Sequence, residues 1–262
     1  MKAPARNAIP LVKAREIITK LEIEDPSEIE IELIACNEGA PVLEKPLRGS
    51  DGRMVRLDGG AMITVRDSIR FPGQKRFVIA HELGHVLLHP YVRQIDEVKL
   101  AQTSNWSLNQ EPEEIEANLF AAEILMPGKF LIPRIEKKEP SFDLLHKLAM
   151  EFRTTLTATA IQFLRYTKEE CVLVASKGGL RKWFWTTERF SFLLREEPRV
   201  HEYTCAAELL NSNDRHARGD DVPAGSWLRD FSPDGNECVT EDAIFSADFG
   251  ETLSLVWIHD AI

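Results

Sequence analysis

Apolar residues recur at helical spacing near the start of the chain. The segment Pro10–Leu21 has the apolar stripe of an amphipathic helix. Asp25 and Pro26 have the residue types preferred at the cap and first position of a second helix, which would extend to Asn37 and end at Gly39. The pattern therefore predicts two helices in this part of the chain.

Short runs separated by turn residues follow. Gly, Asp and Ser residues at 49–52 and 58–60 divide three predicted strands, Pro41–Leu47, Arg53–Leu57 and Ala61–Val65. We expect these strands to form a small antiparallel sheet. Ala61–Val65 is the candidate for a free edge on which an extended peptide adds as a strand. An ordinary core strand is an equal alternative for this segment.

A buried helix is predicted at Gln74–His89, after a Pro-Gly pair and before Pro90. It reads H-E-L-G-H from His81 to His85, with apolar residues on both sides. Histidines four residues apart share one helix face and can bind one metal ion. Glu82 follows His81 directly and lies too far round the helix to ligate the same ion. It can still accept a proton from a metal-bound water. Burying these polar groups without partners would be costly, and a metal ion removes that cost.

A second helix is predicted at Glu113–Pro127 and ends at a Pro-Gly pair. A catalytic zinc site commonly uses two histidines and one carboxylate. Glu114 and Asn118 are four residues apart, so Glu114 can act as the third ligand while Asn118 holds a ligating histidine. Glu116 is a reserve candidate. The remaining acidic residues of this helix are interpreted as solvated surface charges: Glu113 and Glu123.

A third histidine is the rival arrangement. His89 lies about 12 Å along the helix axis from His81, so a straight helix cannot direct His81, His85 and His89 at one ion. Tyr91 occupies the position at which the longer three-histidine motif requires histidine. We interpret His89 as structural or as lining the cleft. Residues 91–112 are predicted to be irregular or partly helical, with 102–105 as a candidate mobile loop over the site.

Weaker patterns follow in the second half of the chain. Ser141–Tyr166 predicts two short helices joined by a Thr-rich turn, and Trp183 and Trp185 lie on one strand face, where core packing is expected. Arg215–Asp221 is interpreted as a polar surface loop. The remaining predictions are three β-like runs and a terminal hairpin around Gly250: Cys171–Ala175, Lys182–Thr186, Phe190–Leu194, and Ala243–Asp248 with Thr252–Ile258.

Composition is typical of a soluble globular protein, with 44% hydrophobic and 28% charged residues in 262. No apolar run approaches the roughly 20 residues needed to span a bilayer. The N-terminus lacks the apolar core of a signal peptide, so we expect a cytoplasmic protein. The four cysteines include no C-x-x-C pair and predict buried free thiols: Cys36, Cys171, Cys205 and Cys238.

The net charge of −10 is unevenly distributed. Residues 1–166 carry 22 Lys and Arg against 24 Asp and Glu, a net charge of −2, whereas residues 167–262 carry 10 against 18, a net charge of −8. Binding to phosphates requires clustered Lys and Arg. The acidic second half therefore argues against nucleic-acid binding there.

The two metal-site motifs occur together and in a specific order. HELGHVLLH at 81–89 is followed about 25 residues later by EIEANLFAAEILMP at 114–127. In this combination the sequence resembles the ImmA/IrrE family of metallopeptidases over residues 10–135. The resemblance implies a minimal zincin-like core with Zn²⁺ bound by His81, His85 and Glu114, and with Glu82 as catalytic base.

The resemblance also implies a substrate class and a domain order. The expected substrates are helix-turn-helix repressors encoded beside the peptidase, whose cleavage releases transcription of mobile-element or stress genes. We predict an α+β fold with a zincin-like metallopeptidase domain at 1–135. A helical segment at 136–166 resembles the helix-turn-helix-like segment of the family, and a small α+β or β lobe of unknown function occupies 167–262.

Three functional hypotheses follow. The first is a zinc-dependent endopeptidase, with Tyr91, His89 or an arginine as oxyanion stabiliser. The second is a non-hydrolytic, metal-containing regulator or toxin–antitoxin-type component that acts by protein binding; an intact Glu82 favours the enzyme. The third, a DNA-binding transcription factor, depends on residues 141–166, where basic residues are sparse. Another divalent metal is an alternative to zinc, and no membrane partner is expected.

Overall fold

The protein is an α+β molecule, as predicted. A computed structural model describes residues 8–90, 94–98, 111–246 and 250–258, with only the backbone described for 8 and 94–98. The helices of these ranges are α1 Ala8–Lys20, α2 Ile31–Asn37, α3 Pro72–Leu88, α4 Pro112–Leu125, α5 Gly128–Ile135, α6 Phe142–Phe152, α7 Leu156–Tyr166 and α8 Cys205–Asn211. The strands are β1 Val42–Lys45, β2 Gly52–Leu57, β3 Gly60–Arg66, β4 Gln94–Val98, β5 Cys171–Lys177, β6 Leu180–Thr186, β7 His216–Pro223, β8 Cys238–Ser246 and β9 Glu251–Trp257.

The second predicted helix is divided in two. Asp25 caps a 3₁₀ turn over Pro26–Glu28, where its carboxylate accepts a hydrogen bond of 2.9 Å from the backbone N–H of Ser27. α2 begins only at Ile31. The chain then turns at Gly39, whose φ of +78° is readily adopted by glycine. The capping and stop residues are therefore where the sequence predicts them, although one continuous helix is not formed.

The sheet of the N-terminal half differs from the prediction in two respects. Its strand order is β1-β3-β2-β4, and β1 pairs with β3 in parallel, so the sheet is mixed rather than antiparallel. β3, which contains Ala61–Val65, is an interior strand because its hairpin partner β2 covers one side and β1 the other. The prediction of a free edge at Ala61–Val65 is wrong, and the alternative of a core strand is correct.

The connection between the two metal-site helices also contains a strand. Residues 94–98 form β4, which pairs antiparallel with β2. The expectation that residues 91–112 form an irregular or helical connection is therefore wrong for this part. The candidate mobile loop at 102–105 lies outside the described residues.

The sheet of the C-terminal half is fully antiparallel, in the order β6-β5-β9-β8-β7. The predicted terminal hairpin is confirmed as β8 and β9. Arg215–Asp221 is not a loop, because most of it belongs to β7, in which Ala217 and Val222 are buried. In Phe190–Leu194, Leu194 makes only an isolated bridge, so the predicted β-run is not a strand.

The two tryptophans predicted to pack in the core and two of the four cysteines are buried. Trp183 and Trp185 are both buried, as expected. All four cysteines are free thiols, and Cys171 and Cys205 are buried. Cys36 is exposed, so the prediction of buried thiols is wrong at that position, and Cys238 is only partly buried.

The chain divides into two compact units. One contains the described parts of residues 6–134 and 147–162, and the other contains those of 135–146 and 163–262. The predicted helical pair at 141–166 is confirmed as α6 and α7. Within the described residues, no helix is both long enough and apolar enough to cross a bilayer.

Candidate metal centre

Two histidines of α3 form one side of the site. His81 and His85 are fully buried, and their Nε2 atoms lie 2.9 Å apart on the same helix face. The four-residue spacing produces this arrangement because successive turns of a helix bring such residues into register. The pattern H-E-x-x-H therefore folds as expected.

Glu114 of α4 forms the other side. One of its carboxylate oxygens lies 3.3 Å from Nε2 of His81, and the other lies 3.3 Å from Nε2 of His85. The ligand atoms of the three residues all lie within 4.8 Å of one another. Two ligand atoms of a tetrahedral zinc ion are about 3.3 Å apart, since each lies roughly 2.0–2.1 Å from the ion. The donor types and separations therefore fit a zinc ion with a fourth position for water.

Close packing of α3 against α4 brings these residues together. Gly84 lies between the two histidines, and a Cβ atom at this position would be 3.1 Å from Cα of Ala117. Small residues on both helices allow the backbones to approach. Glu114 is one turn before Ala117 on α4, so the same contact places its carboxylate opposite the histidine pair.

Each histidine is also bound at its other nitrogen. Nδ1 of His81 lies 2.9 Å from Oδ1 of Asn118, the residue for which a supporting role is predicted. Nδ1 of His85 lies 3.0 Å from Nδ1 of His89, and Nε2 of His89 lies 3.1 Å from a carboxylate oxygen of Glu116. The structure thus places Glu116 outside the histidine–Glu114 cluster and in contact with His89.

The electrostatics favour one shared positive charge in the cluster. Burial lowers the pKa of His81, but the hydrogen bond to Glu114 and the nearby carboxylates outweigh it, so the pKa lies above its ordinary value. Burial lowers the pKa of His85 to about 4. Burial acts to raise the pKa of Glu114, yet its contacts with His81 and His85 hold the pKa well below its usual range. A site that stabilises a proton among these ligands is suited to a cation.

Glu82 is buried beside the cluster. It is fully buried, and neither carboxylate oxygen has a hydrogen-bond partner among the described residues. Burial raises its pKa to about 7, although the charge of His81 acts in the opposite direction. Gly52 of β2 makes room for it, because a Cβ there would lie 2.7 Å from Oε1 of Glu82. A carboxylate with a pKa near neutrality can both accept and release a proton.

Arg56 of β2 is a contributor that the sequence does not reveal. Its Nη2 atom donates to the carbonyl oxygens of Val86 at 2.7 Å, His89 at 3.0 Å and His85 at 3.2 Å. These carbonyls lie at the C-terminal end of α3, where carbonyl groups begin to lack helical partners, although that of His85 also accepts from the N–H of His89. Sequence spacing carries no signal for this contact, since it joins a strand to a distant helix end.

The acidic residues of α4 have different environments. Glu113 is exposed, as expected. The interpretation of Glu123 as a solvated charge is wrong, because its side chain is fully buried and accepts hydrogen bonds from Arg15 at 2.8 Å and Gln162 at 3.1 Å. Tyr91, one of the candidate oxyanion stabilisers, lies outside the described residues.

The second helix of the pair, α7, is poorly suited to binding DNA. In α7, the second helix of the pair, Thr157, Thr159 and Gln162 are all buried. A recognition helix must expose such side chains to reach base edges in the major groove. The burial of α7 therefore argues against a DNA-binding role, in agreement with the charge pattern.

Comparisons with known proteins agree with the site. The IrrE N-terminal-like domain family (Peptidase_M78) matches residues 36–163, which include the described metal-site residues. No curated protein gives a significant sequence match. Among solved structures, a Mycobacterium tuberculosis transcriptional regulator is similar with a TM-score of 0.64 and 14% identity, over 95% of this chain and 76% of that chain. The structural similarity shows a shared fold, and the family match identifies residues 36–163 as an IrrE N-terminal-like domain, in agreement with the resemblance of the sequence to the ImmA/IrrE family.

Proposed function

We propose that this protein is a zinc-dependent endopeptidase with His81, His85 and Glu114 as ligands and Glu82 as catalytic base. One observation carries the proposal: a buried carboxylate without a hydrogen-bond partner lies next to three convergent ligand atoms. A purely structural metal site has no use for such a group. The unpartnered carboxylate therefore favours hydrolysis over a structural or sensory metal.

The residues of the site divide the reaction between them. His81, His85 and Glu114 would hold a Zn²⁺ ion, which would lower the pKa of a water molecule toward about 7 and polarise the scissile carbonyl. Glu82 accepts the proton of the attacking water and passes it to the leaving amine. Because burial raises the pKa of Glu82 to about 7, the carboxyl group can perform both transfers near neutral pH.

We infer that the substrate is a helix-turn-helix repressor in the cytoplasm, cleaved to release transcription of mobile-element or stress genes. The match of residues 36–163 to the IrrE N-terminal-like domain family supports this substrate class. The structural relative is itself a transcriptional regulator, which is compatible with a role in transcription control. The buried face of α7 favours a protein over a nucleic acid as the partner.

Mass spectrometry tests the proposal directly. The zinc-loaded protein is incubated with the repressor encoded next to it, in parallel with a Glu82→Gln variant. We expect fragments from the wild type alone, because the amide cannot accept the proton. A stable complex without cleavage by either protein would instead support the non-hydrolytic regulator.

A metal titration tests the ligand assignment. Glu114→Ala removes a ligand and should abolish stoichiometric zinc binding, measured by competition with a chromophoric chelator. Glu113→Gln changes an exposed charge one residue away and should leave the affinity unchanged. Retention of zinc by Glu114→Ala would refute the assignment of Glu114.

A further inference from the structure

We propose that His89 is a positioning residue that, together with Glu116, fixes the tautomer of His85 and leaves its Nε2 atom free for the metal. The inference rests on the proposed metal site. It adds a hydrogen-bonded relay from Glu116 through His89 to His85.

The geometry of the relay is continuous. Nδ1 of His85 lies 3.0 Å from Nδ1 of His89, and Nε2 of His89 lies 3.1 Å from Oε2 of Glu116. His85 and His89 are buried, whereas the Glu116 side chain is about one quarter exposed, at 27%. The relay therefore runs from the solvent-accessible edge of the site into its interior.

The carboxylate of Glu116 determines which atom donates in each hydrogen bond of the relay. A carboxylate only accepts, so Nε2 of His89 must carry the hydrogen that it donates to Glu116. In the neutral ring, Nδ1 of His89 is then an acceptor, and Nδ1 of His85 must be the donor. The Nε2 atom of neutral His85 is consequently unprotonated and faces Glu114 and His81. This is the tautomer that binds a metal through Nε2.

The backbone holds His89 in place for this task. His89 is the residue that ends α3, with φ −118° and ψ 66°, and its N–H still donates to the carbonyl oxygen of His85 at 3.2 Å. Arg56 binds the carbonyl oxygens of both residues. His85 and His89 are four residues apart, so the last turn of α3 brings their imidazoles to the same side of the helix.

The two ligand histidines are therefore supported differently. His81 is held by the neutral amide oxygen of Asn118, whereas the relay of His85 ends in a carboxylate. A carboxylate behind a ligating histidine increases the basicity of the ligand, and loss of such partners typically weakens metal binding about 10- to 100-fold. His85 should therefore depend on an ionised group that His81 does not need.

Zinc affinity provides the first test. His89→Leu removes the acceptor and should weaken zinc binding about 10- to 100-fold, whereas His89→Gln retains a carbonyl acceptor and should restore most of the affinity. Glu116→Gln keeps an acceptor without the charge and should give a smaller loss. The matched controls His146→Leu and Glu113→Gln change exposed residues and should bind like the wild type. Wild-type affinity in both His89→Leu and Glu116→Gln would overturn the proposal.

The tautomer itself provides the second test, and it requires no peptidase activity. In the metal-free, ¹⁵N-histidine-labelled protein, long-range ¹H–¹⁵N correlation spectra should show His85 as the Nδ1–H form, and His89→Leu should shift it toward the Nε2–H form. An unchanged tautomer in His89→Leu would overturn the proposal.

If His89→Leu fails to fold, the zinc affinities of Glu116→Gln and His89→Gln decide. Wild-type zinc affinity in Glu116→Gln contradicts the relay. Zinc binding by His89→Gln that is no better than that of Glu114→Ala also contradicts it. Absence of repressor cleavage would leave both readouts intact, so failure of the proposed activity is distinguishable.

Discussion

At the scale of single residues, the burial that suits Glu82 to proton transfer also lowers the stability of the folded protein. Its carboxyl group is fully buried without a hydrogen-bond partner among the described residues, and burial raises its pKa from 4.5 to about 7. A raised carboxyl pKa means that the folded state disfavours the ionised form. The residue that we propose for proton transfer should therefore destabilise the metal-free protein at neutral and alkaline pH.

Replacement of Glu82 by glutamine should stabilise the metal-free protein in a pH-dependent manner. Below pH 4.5 the carboxyl group is protonated in both states, so variant and wild type should be equally stable. As pH rises from 4.5 through about 7, the wild type should lose stability relative to the variant, by about 3 kcal/mol at the plateau. Urea unfolding with excess chelator between pH 4 and 8 measures the difference. A constant difference across this range would contradict the assigned pKa.

The sequence predicts the positions of residues whose contacts depend on local spacing, but not the environments of residues whose partners are distant in the chain. His81, His85, Glu114 and Asn118 follow from four-residue spacing, which directs side chains to one helix face. Glu123 belongs to the same helix as Glu114, but its burial depends on Arg15 and Gln162, which lie far away in sequence. Local spacing contains no information about such partners, so a buried carboxylate and a solvated one look alike.

At the scale of elements, α4 has a polar contact near each end. Glu114 at its N-terminal end faces the histidines, and Glu123 at its C-terminal end binds Arg15 of α1 and Gln162 of α7. Glu123 also accepts a hydrogen bond of 3.3 Å from the backbone N–H of Gly128. These contacts determine how α4 lies against its neighbours, and therefore where Glu114 is placed.

Replacement of Glu123 by glutamine should destabilise the protein by about 2 kcal/mol, because a buried acceptor of several hydrogen bonds loses its charge and half of its accepting capacity. Urea unfolding measures the change. Glu113→Gln, a change of the same type at an exposed position of α4, should stay within about 0.5 kcal/mol of the wild type. Equal stabilities of the two variants would show that Glu123 does not organise these helices.

At the scale of the whole molecule, another buried carboxylate organises the C-terminal sheet. Glu241 of β8 is fully buried and accepts four hydrogen bonds, from Ser254, Trp227 and the backbone N–H groups of Cys205 and Ala206. Burial raises its pKa, while these hydrogen bonds act in the opposite direction. The carboxylate thus joins β8, β9, α8 and the segment of Trp227 within this unit, apart from the metal-site residues.

Replacement of Glu241 by glutamine should lower the free energy of unfolding of the C-terminal unit by about 3 kcal/mol, because the amide group would face hydrogen-bond donors with donors of its own. Thermal and urea unfolding followed by circular dichroism measure this loss. Glu237→Gln, at an exposed position, is the control. Zinc affinity should be unchanged in both variants, since Glu241 belongs to the other compact unit. A loss of zinc binding in Glu241→Gln would show that the two units are coupled.

The sequence by itself determined the α+β class, the two metal-site helices and the terminal hairpin. These features depend on local periodicity and turn chemistry, which involve residues close together in the chain. Only the tertiary structure decided the order of strands in the mixed sheet, the interior position of β3 and the conversion of Arg215–Asp221 into a strand. It also decided the contacts of Glu116, Glu123 and Arg56. Each depends on partners that are distant in sequence, and their free energies appear only when the elements pack together.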